Sequence, residues 1–326
     1  MKKIVLPLLL ASVTLASPAA AKVTRFLTGN PADVVVSLTG PAHDFGGGGT
    51  DVGAAIQWMI DQVRGCTSCS TKVDVVVLRS TGTDGYNDFI FAMNGVDSVE
   101  TLVITKPADA NAADVETTVK NAEVVFFAGG DQCDYVTNFK GTRVETAVES
   151  VYARGGGVGG TSAGLAIQGD FVYDACSGSV TSAQALADPF DRRVTFTYDF
   201  FHWANLTNTI TDDHLVPRDR MGRTMAFLAR QIQDGKAASP LAIAVNEATS
   251  VVVDKNGRAT VMGDGPAYFV LGDHLPEVCR PKTPLTFSNF KIWKVLPGGT
   301  FDLRNRPTSG YYLRSVANGV INADPY

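Results

Sequence analysis

Residues 155–164 read Gly155-Gly156-Gly157-Val158-Gly159-Gly160-Thr161-Ser162-Ala163-Gly164. The last five form a G-x-S-x-G pattern, in which a strand turns sharply into a helix with a serine at the corner. Glycine on each side removes the side chains that would clash in such a turn. The corner would project the Ser162 hydroxyl into a cleft. It would also leave the backbone N–H of Ala163 unpaired at a helix start, where it can hold an oxyanion. The bland alternative is a glycine-rich loop whose serine caps a helix. The pattern is short enough to arise by chance, so its meaning depends on the rest of the chain.

Upstream, apolar runs at 33–38, 73–78, 99–105 and 123–127 read as strands, and a fifth ends at Ser162. Helical patterns fall between them, over about 52–64, 87–93, 112–121 and up to about Ala153. Strands that are continuously apolar and alternate with helices predict an α/β fold, a mostly parallel sheet covered on both faces. Such sheets bind their ligands at the carboxyl ends of the strands. Two glycine-rich strand ends, Gly129-Gly130-Asp131-Gln132 and Gly160 to Gly164, then fall side by side, and Gly130 becomes a second candidate oxyanion donor beside Ala163.

An earlier glycine run, Gly46-Gly47-Gly48-Gly49-Thr50-Asp51, follows the strand expected at 33–38, with Thr50 as N-cap and Gly65 as stop of the next helix. It fails the dinucleotide-binding register, because Asp51 stands where a third glycine belongs, and no G-x-x-x-x-G-K is present. It reads as a loop at the carboxyl end of a strand. Beyond residue 240, strands are expected at 241–245, 250–254 and 260–262, and the segment 276–326 reads as a β-rich extension packed on the core.

The chain has 326 residues, 45% of them hydrophobic, enough for a sizeable core. Its formal charge of −5 argues against non-specific nucleic-acid binding. Residues 1–21 carry Lys2 and Lys3, a short apolar run and Ala19-Ala20-Ala21, the layout of a secretory signal peptide too short to anchor in a bilayer. The expected product is secreted or periplasmic, with no membrane attachment after cleavage and, two lysines lighter, a charge of −7. Export permits disulfides. Cys66 and Cys69 suit a small-loop disulfide better than a zinc half-site, since no second ligand pair is visible, and a Cys176–Cys279 pair is compatible with the sequence.

A serine nucleophile needs a base, and the base an orienting acid. Among four histidines, His214 leads because it follows a strand-like segment. His274 is the rival: with Asp264 it would give the Ser…Asp…His order of an esterase or lipase. His202 reads as a packed surface residue and His43 as part of a flexible loop. Arg218, Arg220 and Arg223 crowd the start of a helix, where positive charge opposes the helix dipole. That suggests an anion site; the other reading is salt bridging to Asp212, Asp213 and Asp219. Glu247 is a lone carboxylate in an apolar stretch, either a loop residue or a buried orienting acid.

Four blocks occur in order: Phe127-Ala128-Gly129-Gly130-Asp131-Gln132, Gly159 to Gly164, Asp212-Asp213-His214 with Arg218 to Arg223, and Ala244-Val245-Asn246-Glu247-Ala248-Thr249. In these the chain resembles the cyanophycinase-like members of the S51 serine peptidases, over roughly residues 33–275. The resemblance implies a class I glutamine amidotransferase-like, flavodoxin-like three-layer sandwich, with residues 22–275 as the catalytic domain. It implies Ser162 as nucleophile, His214 as base, Glu247 as orienting acid, and Ala163 and Gly130 as oxyanion donors, with no metal or cofactor. Gln132, Asp212, Asp213, Arg218, Arg220 and Arg223 match the family's substrate-side positions, although the family commonly has Gln where this chain has Asp213. The implied partner is a peptide or polypeptide carrying Asp and Arg groups, such as cyanophycin, cut by an exopeptidase. The other readings are the esterase using His274 and a non-catalytic acidic-peptide binder on the same fold. Assembly as a homodimer is left open.

Overall fold

A computed structural model describes residues 23–326; the proposed signal segment lies outside the described residues. The chain is mixed α/β, with two large sheets. The first has five parallel strands at its centre, in the spatial order Val96–Val103, Val73–Arg79, Val124–Phe127, Gly157–Thr161 and Ala42–Gly46. Alternate residues of these strands enter different cores. Val75, Val77 and Phe126 pack with Ile56, Met59, Ile60 and Val63 of the helix Gly53–Arg64. Val76, Leu78 and Phe127 point the other way, toward Val115, Val119 and Val148 of the helices Ala113–Asn121 and Arg143–Ala153. Burial on both faces is why these strands read as unbroken apolar runs.

The expected elements recur with local corrections. The helix predicted over 52–64 runs Gly53–Arg64 and ends on Gly65 in the left-handed conformation (φ 74°), but Thr50 does not cap it. The helix expected up to Ala153 is two, Gln132–Phe139 and Arg143–Ala153. The predicted strand 33–38 is irregular, and its Val35 is 92% exposed. The buried strand is instead Ala42–Gly46, which reads Ala-His-Asp-Phe-Gly. His43 belongs to no flexible loop: it stacks on Tyr152 at 4.6 Å and on Phe45 at 4.9 Å.

The single mostly parallel sheet expected from sequence is joined by a second, eight-stranded mixed sheet. In it Thr209–Asp212 lies parallel to Leu241–Val245, and Ala267–Leu271 runs antiparallel to Leu241–Val245. The helix Met221–Gln233 packs on this sheet through Met221, Met225, Leu228 and Ile232. A shared core between the sheets contains Phe127 and Val158 from the first and Ile243, Val245 and Phe269 from the second. Strands from 276–326 enter both sheets. Phe287–Val295 pairs with Ala267–Leu271, and Thr300–Asp302 pairs with Arg258–Gly263.

Two disulfides occur among the described residues: Cys66–Cys69, as expected, and Cys133–Cys176. Cys176 therefore does not pair with Cys279, which is free and buried. The second link ties the helix after Val124–Phe127 to the loop after Phe171–Tyr173, and so one sheet to the other.

Candidate active site

Five strand ends converge. Gly157–Thr161 delivers Ser162, Val124–Phe127 delivers Gly129 and Gly130, and Ala42–Gly46 delivers Gly47 to Gly49. Thr209–Asp212 delivers Asp213 and His214, and Leu241–Val245 delivers Asn246 and Glu247. The parallel pairing of Ala244 with Asp212 sets the last two side by side.

Ser162 has φ 52° and ψ −117°, a strained conformation for a residue with a Cβ. The turn that holds it leaves no room for side chains on the flanking glycines. A Cβ on Gly160 would lie 2.7 Å from the Gly164 carbonyl carbon, and one on Gly164 would lie 2.2 Å from the Phe127 carbonyl oxygen. The Ser162 hydroxyl does not cap the helix Ala163–Ala166. Its Oγ lies 2.8 Å from Nε2 of His214, whose Nδ1 lies 2.6 Å from Oε1 of Glu247. A carboxylate only accepts, so the Glu247 contact fixes the proton on Nδ1 and leaves Nε2 as an acceptor for the serine hydroxyl. His214 is buried, while Glu247 keeps a third of its side chain exposed.

The run Gly47 to Gly49, read from sequence as a plain loop, is the wall of this relay. The His214 N–H donates to Gly47 O at 2.8 Å, and the Ala248 N–H to Gly48 O at 3.0 Å. Gly48 sits at φ +92°, and a Cβ there would come within 2.4 Å of His214 Cε1. A Cβ on Gly49 would lie 3.2 Å from Glu247 Cβ. The signal that could have found this role is four glycines in succession where one would satisfy a turn.

His274 is elsewhere. It pairs with Asp273 at 3.1 Å and contacts Ser288 at 3.4 Å, so the base position of the esterase reading is not the one beside Ser162. His202 pairs with Glu149 on the surface. Asp264 makes a backbone bond to Ala248, not a contact with a histidine.

The charged block is arranged as ion pairs, with one arginine more open than the rest. Arg223 is fully buried, donates to both carboxylate oxygens of Asp212 and lies 5.1 Å from the Tyr173 ring. Burial by itself would raise the Asp212 carboxyl, but the Arg223 charge and hydrogen bonds outweigh it and hold it below the usual carboxylate range. Arg220 donates to Asp213 Oδ1 and to the Asp213 carbonyl, and Arg223 also reaches Asp213 Oδ1 at 3.4 Å. Asp212 and Arg223 are thus buried and engaged with each other. Arg218 is 52% exposed, with Nε 4.0 Å from Glu247 Oε1. Gln132 opens the helix Gln132–Phe139, half-buried, where Asp131 caps through the Cys133 N–H. Asp213 Oδ2 lies 3.1 Å from Ser162 Oγ, a contact not foreseen from sequence.

No protein-family model matches the chain, and no curated protein matches it. Solved structures do. A peptidase from an acI-B1 Actinobacterium superposes with a TM-score of 0.56 at 14% identity, over 82% of this chain and 98% of that one. A protein from Listeria monocytogenes EGD-e assigned as a peptidase E gives 0.46 at 13% identity, over 69% of this chain and 100% of its own. The first likeness is one of overall fold: 82% of the chain shares the α/β architecture of that peptidase.

Proposed function

We propose that this chain is an exported serine-type exopeptidase that hydrolyses cyanophycin or related β-aspartyl-arginine peptides. The observation that carries the reading is the relay from Ser162 Oγ to His214 Nε2 at 2.8 Å and from His214 Nδ1 to Glu247 Oε1 at 2.6 Å. The peptidase assignment of the Actinobacterium protein with the same fold supports it.

In this mechanism Ser162 attacks the peptide carbonyl while its proton passes to His214. The Oγ–C bond forms, the C–N bond breaks, and His214 gives the proton to the departing amine. Water then repeats the sequence in reverse to free the acid. Glu247 stabilises the imidazolium in between. The N–H groups of Ala163 and Gly130 hold the oxyanion, and removing one such donor typically costs ~10²–10³ in rate. Arg218, at the mouth, suits a substrate carboxylate, and Gln132 suits a polar substrate group. Asp212 and Arg223 support the block as a buried ion pair. Residues 1–21 would direct export and be removed.

Incubating the mature protein with cyanophycin and identifying products by mass spectrometry tests the reading. Release of β-Asp-Arg, abolished in Ser162→Ala, is the expected result. Intact polymer, with no labelling of Ser162 by a fluorophosphonate, would favour a non-catalytic peptide binder on this fold.

A further inference from the structure

The helix Met221–Gln233 starts with an arginine where a cap belongs. Serine, threonine, aspartate and asparagine are the usual N-cap residues, because their side chains accept free N–H groups of the first turn. Here Arg220 stands at the N-cap and makes no such bond. Two hydroxyls from distant parts of the chain cap the helix instead. The Met221 N–H donates to the Tyr326 hydroxyl at 3.1 Å, and the Arg223 N–H donates to Ser182 Oγ at 3.1 Å. Met221 is wholly buried, so its N–H has no contact with bulk water. Each hydroxyl has one proton to give, and both protons go to Asp219. Tyr326 donates to Asp219 Oδ1 at 2.9 Å, its longer contact being the Leu215 carbonyl at 3.4 Å. Ser182 donates to the Asp219 carbonyl. Asp219, between Arg218 and Arg220, holds φ 46°, a left-handed conformation that a residue with a Cβ keeps only where its surroundings impose it.

We infer that Tyr326 is a positioning residue for the substrate-side turn: its hydroxyl caps the helix and clamps Asp219, and so sets the direction of Arg218. The inference rests on the proposed function, in which Arg218 receives a substrate carboxylate. Tyr326 is itself held by the 276–326 segment and its neighbours. Its ring meets that of Tyr268 edge-on at 6.0 Å, and its N–H donates to Asp324 Oδ1 at 2.9 Å. Arg314 Nε donates to the Asp324 carbonyl at 2.7 Å and the Tyr312 hydroxyl to the Pro325 carbonyl at 2.6 Å, both from the strand Tyr312–Ala317. The relay is supported from another side. The His214 N–H donates to Gly47 O, the Leu215 N–H to Val245 O at 3.2 Å and the Val216 N–H to Asn246 Oδ1 at 3.2 Å. The start of the turn thus hangs on the strand end that carries Glu247, and its far end on Tyr326 and Ser182. Arg220 is also pinned by Asp213, whereas Arg218 is 52% exposed and depends on the turn for its direction. Loss of the Tyr326 hydroxyl therefore loosens Arg218 and leaves His214 in place. Its consequence falls on substrate binding, not on the attack by Ser162.

The test measures cyanophycin turnover and the fluorophosphonate labelling rate of Ser162 in wild type, Tyr326→Phe, Arg218→Ala and the double variant. Phenylalanine keeps the ring and removes only the hydroxyl. A loosened turn is competent to bind for a smaller fraction of the time, which weakens apparent affinity by that fraction. Tyr326→Phe is expected to raise KM by about 3- to 30-fold, the range equivalent to one lost helix cap, with kcat and labelling rate within about 3-fold of wild type. In the Arg218→Ala background the same change should add less than about 2-fold to KM, because the side chain it positions is gone. An unchanged KM, or an equal rise in both backgrounds, would overturn the inference. So would a fall in labelling rate that matches the rise in KM, since the hydroxyl would then serve the fold as a whole. The wild type alone gives a second reading: the Met221 amide should resist deuterium exchange, and exchange at the rate of an open amide would overturn the cap even if the variant misfolds. Wild-type labelling without cyanophycin turnover would overturn the substrate reading and this inference while leaving serine chemistry standing. Neither turnover nor labelling would remove the serine-peptidase reading as well.

Discussion

At Ser162 the sequence pattern and the geometry agree for a stated reason. Gly160 and Gly164 are required by backbone atoms 2.7 and 2.2 Å from where a Cβ would stand, so the motif's glycines are steric necessities of the turn. What the pattern did not carry was the wall. Gly48 lies in a different strand–helix unit, and no spacing rule connects it to a histidine 166 residues on. Its role follows from φ +92° and the closeness of the imidazole. Gly48→Ala should push His214 off Ser162 while costing the fold about 1–2 kcal/mol for the left-handed conformation. A displacement on the ångström scale commonly lowers rate by about 10²-fold. The rate of Ser162 labelling by a fluorophosphonate measures it without a substrate being assumed. An unchanged rate in a folded variant would show that the glycine serves the turn alone.

At the scale of elements, the parallel strands were legible because both faces are buried, and 33–38 was misread for the same reason. A valine run resembles a buried strand whether or not a sheet covers it, and this one is not covered. The true strand, Ala42–Gly46, hides its nature behind His43 and Asp44. Burial lowers the His43 imidazole to about 3 and raises the Asp44 carboxyl to about 7, so neither carries charge in the folded state at mildly acid pH. The two act oppositely on stability. Asp44 binds its proton more tightly when folded, so its contribution is full below the unfolded value of 3.8 and is lost as pH rises toward 7. His43 is held neutral when folded, so its contribution is full above 6.5 and is lost as pH falls toward 3. Between about pH 4 and 6.5 the slopes cancel. Asp44→Asn keeps the shape of the protonated acid and leaves His43 unopposed. Urea unfolding of that variant should lose about 1.4 kcal/mol per pH unit more than wild type across this window on acidification. Parallel pH profiles for the two proteins would mean that Asp44 is ionised in the fold.

At the scale of the molecule, the sequence suggests a boundary near residue 275, because the chain beyond it turns rich in Pro and Gly and its strand pieces look short. The long-range pairing that recruits those pieces has no local signature. Phe287–Val295 matches Ala267–Leu271 residue for residue from Ala267–Val295 to Leu271–Lys291, and Thr300–Asp302 edges the other sheet. Leu285, Phe287, Phe290, Ile292, Trp293, Phe301 and Val316 are all buried. At about 1.5–3 kcal/mol for each large apolar side chain, their removal forfeits on the order of 10–20 kcal/mol, against a typical total stability of about 5–15 kcal/mol. It would also bare Ala267–Leu271 as an apolar sheet edge, the kind of surface that pairs with other copies. The Cys133–Cys176 link would remain, since both cysteines lie upstream, but a crosslink cannot replace lost burial. A chain ending at residue 275 should therefore be recovered as aggregate, or show no cooperative thermal transition by circular dichroism. A soluble product that melts cooperatively and still labels at Ser162 would make 275 a true domain boundary, with the two sheets held together by the upstream chain alone.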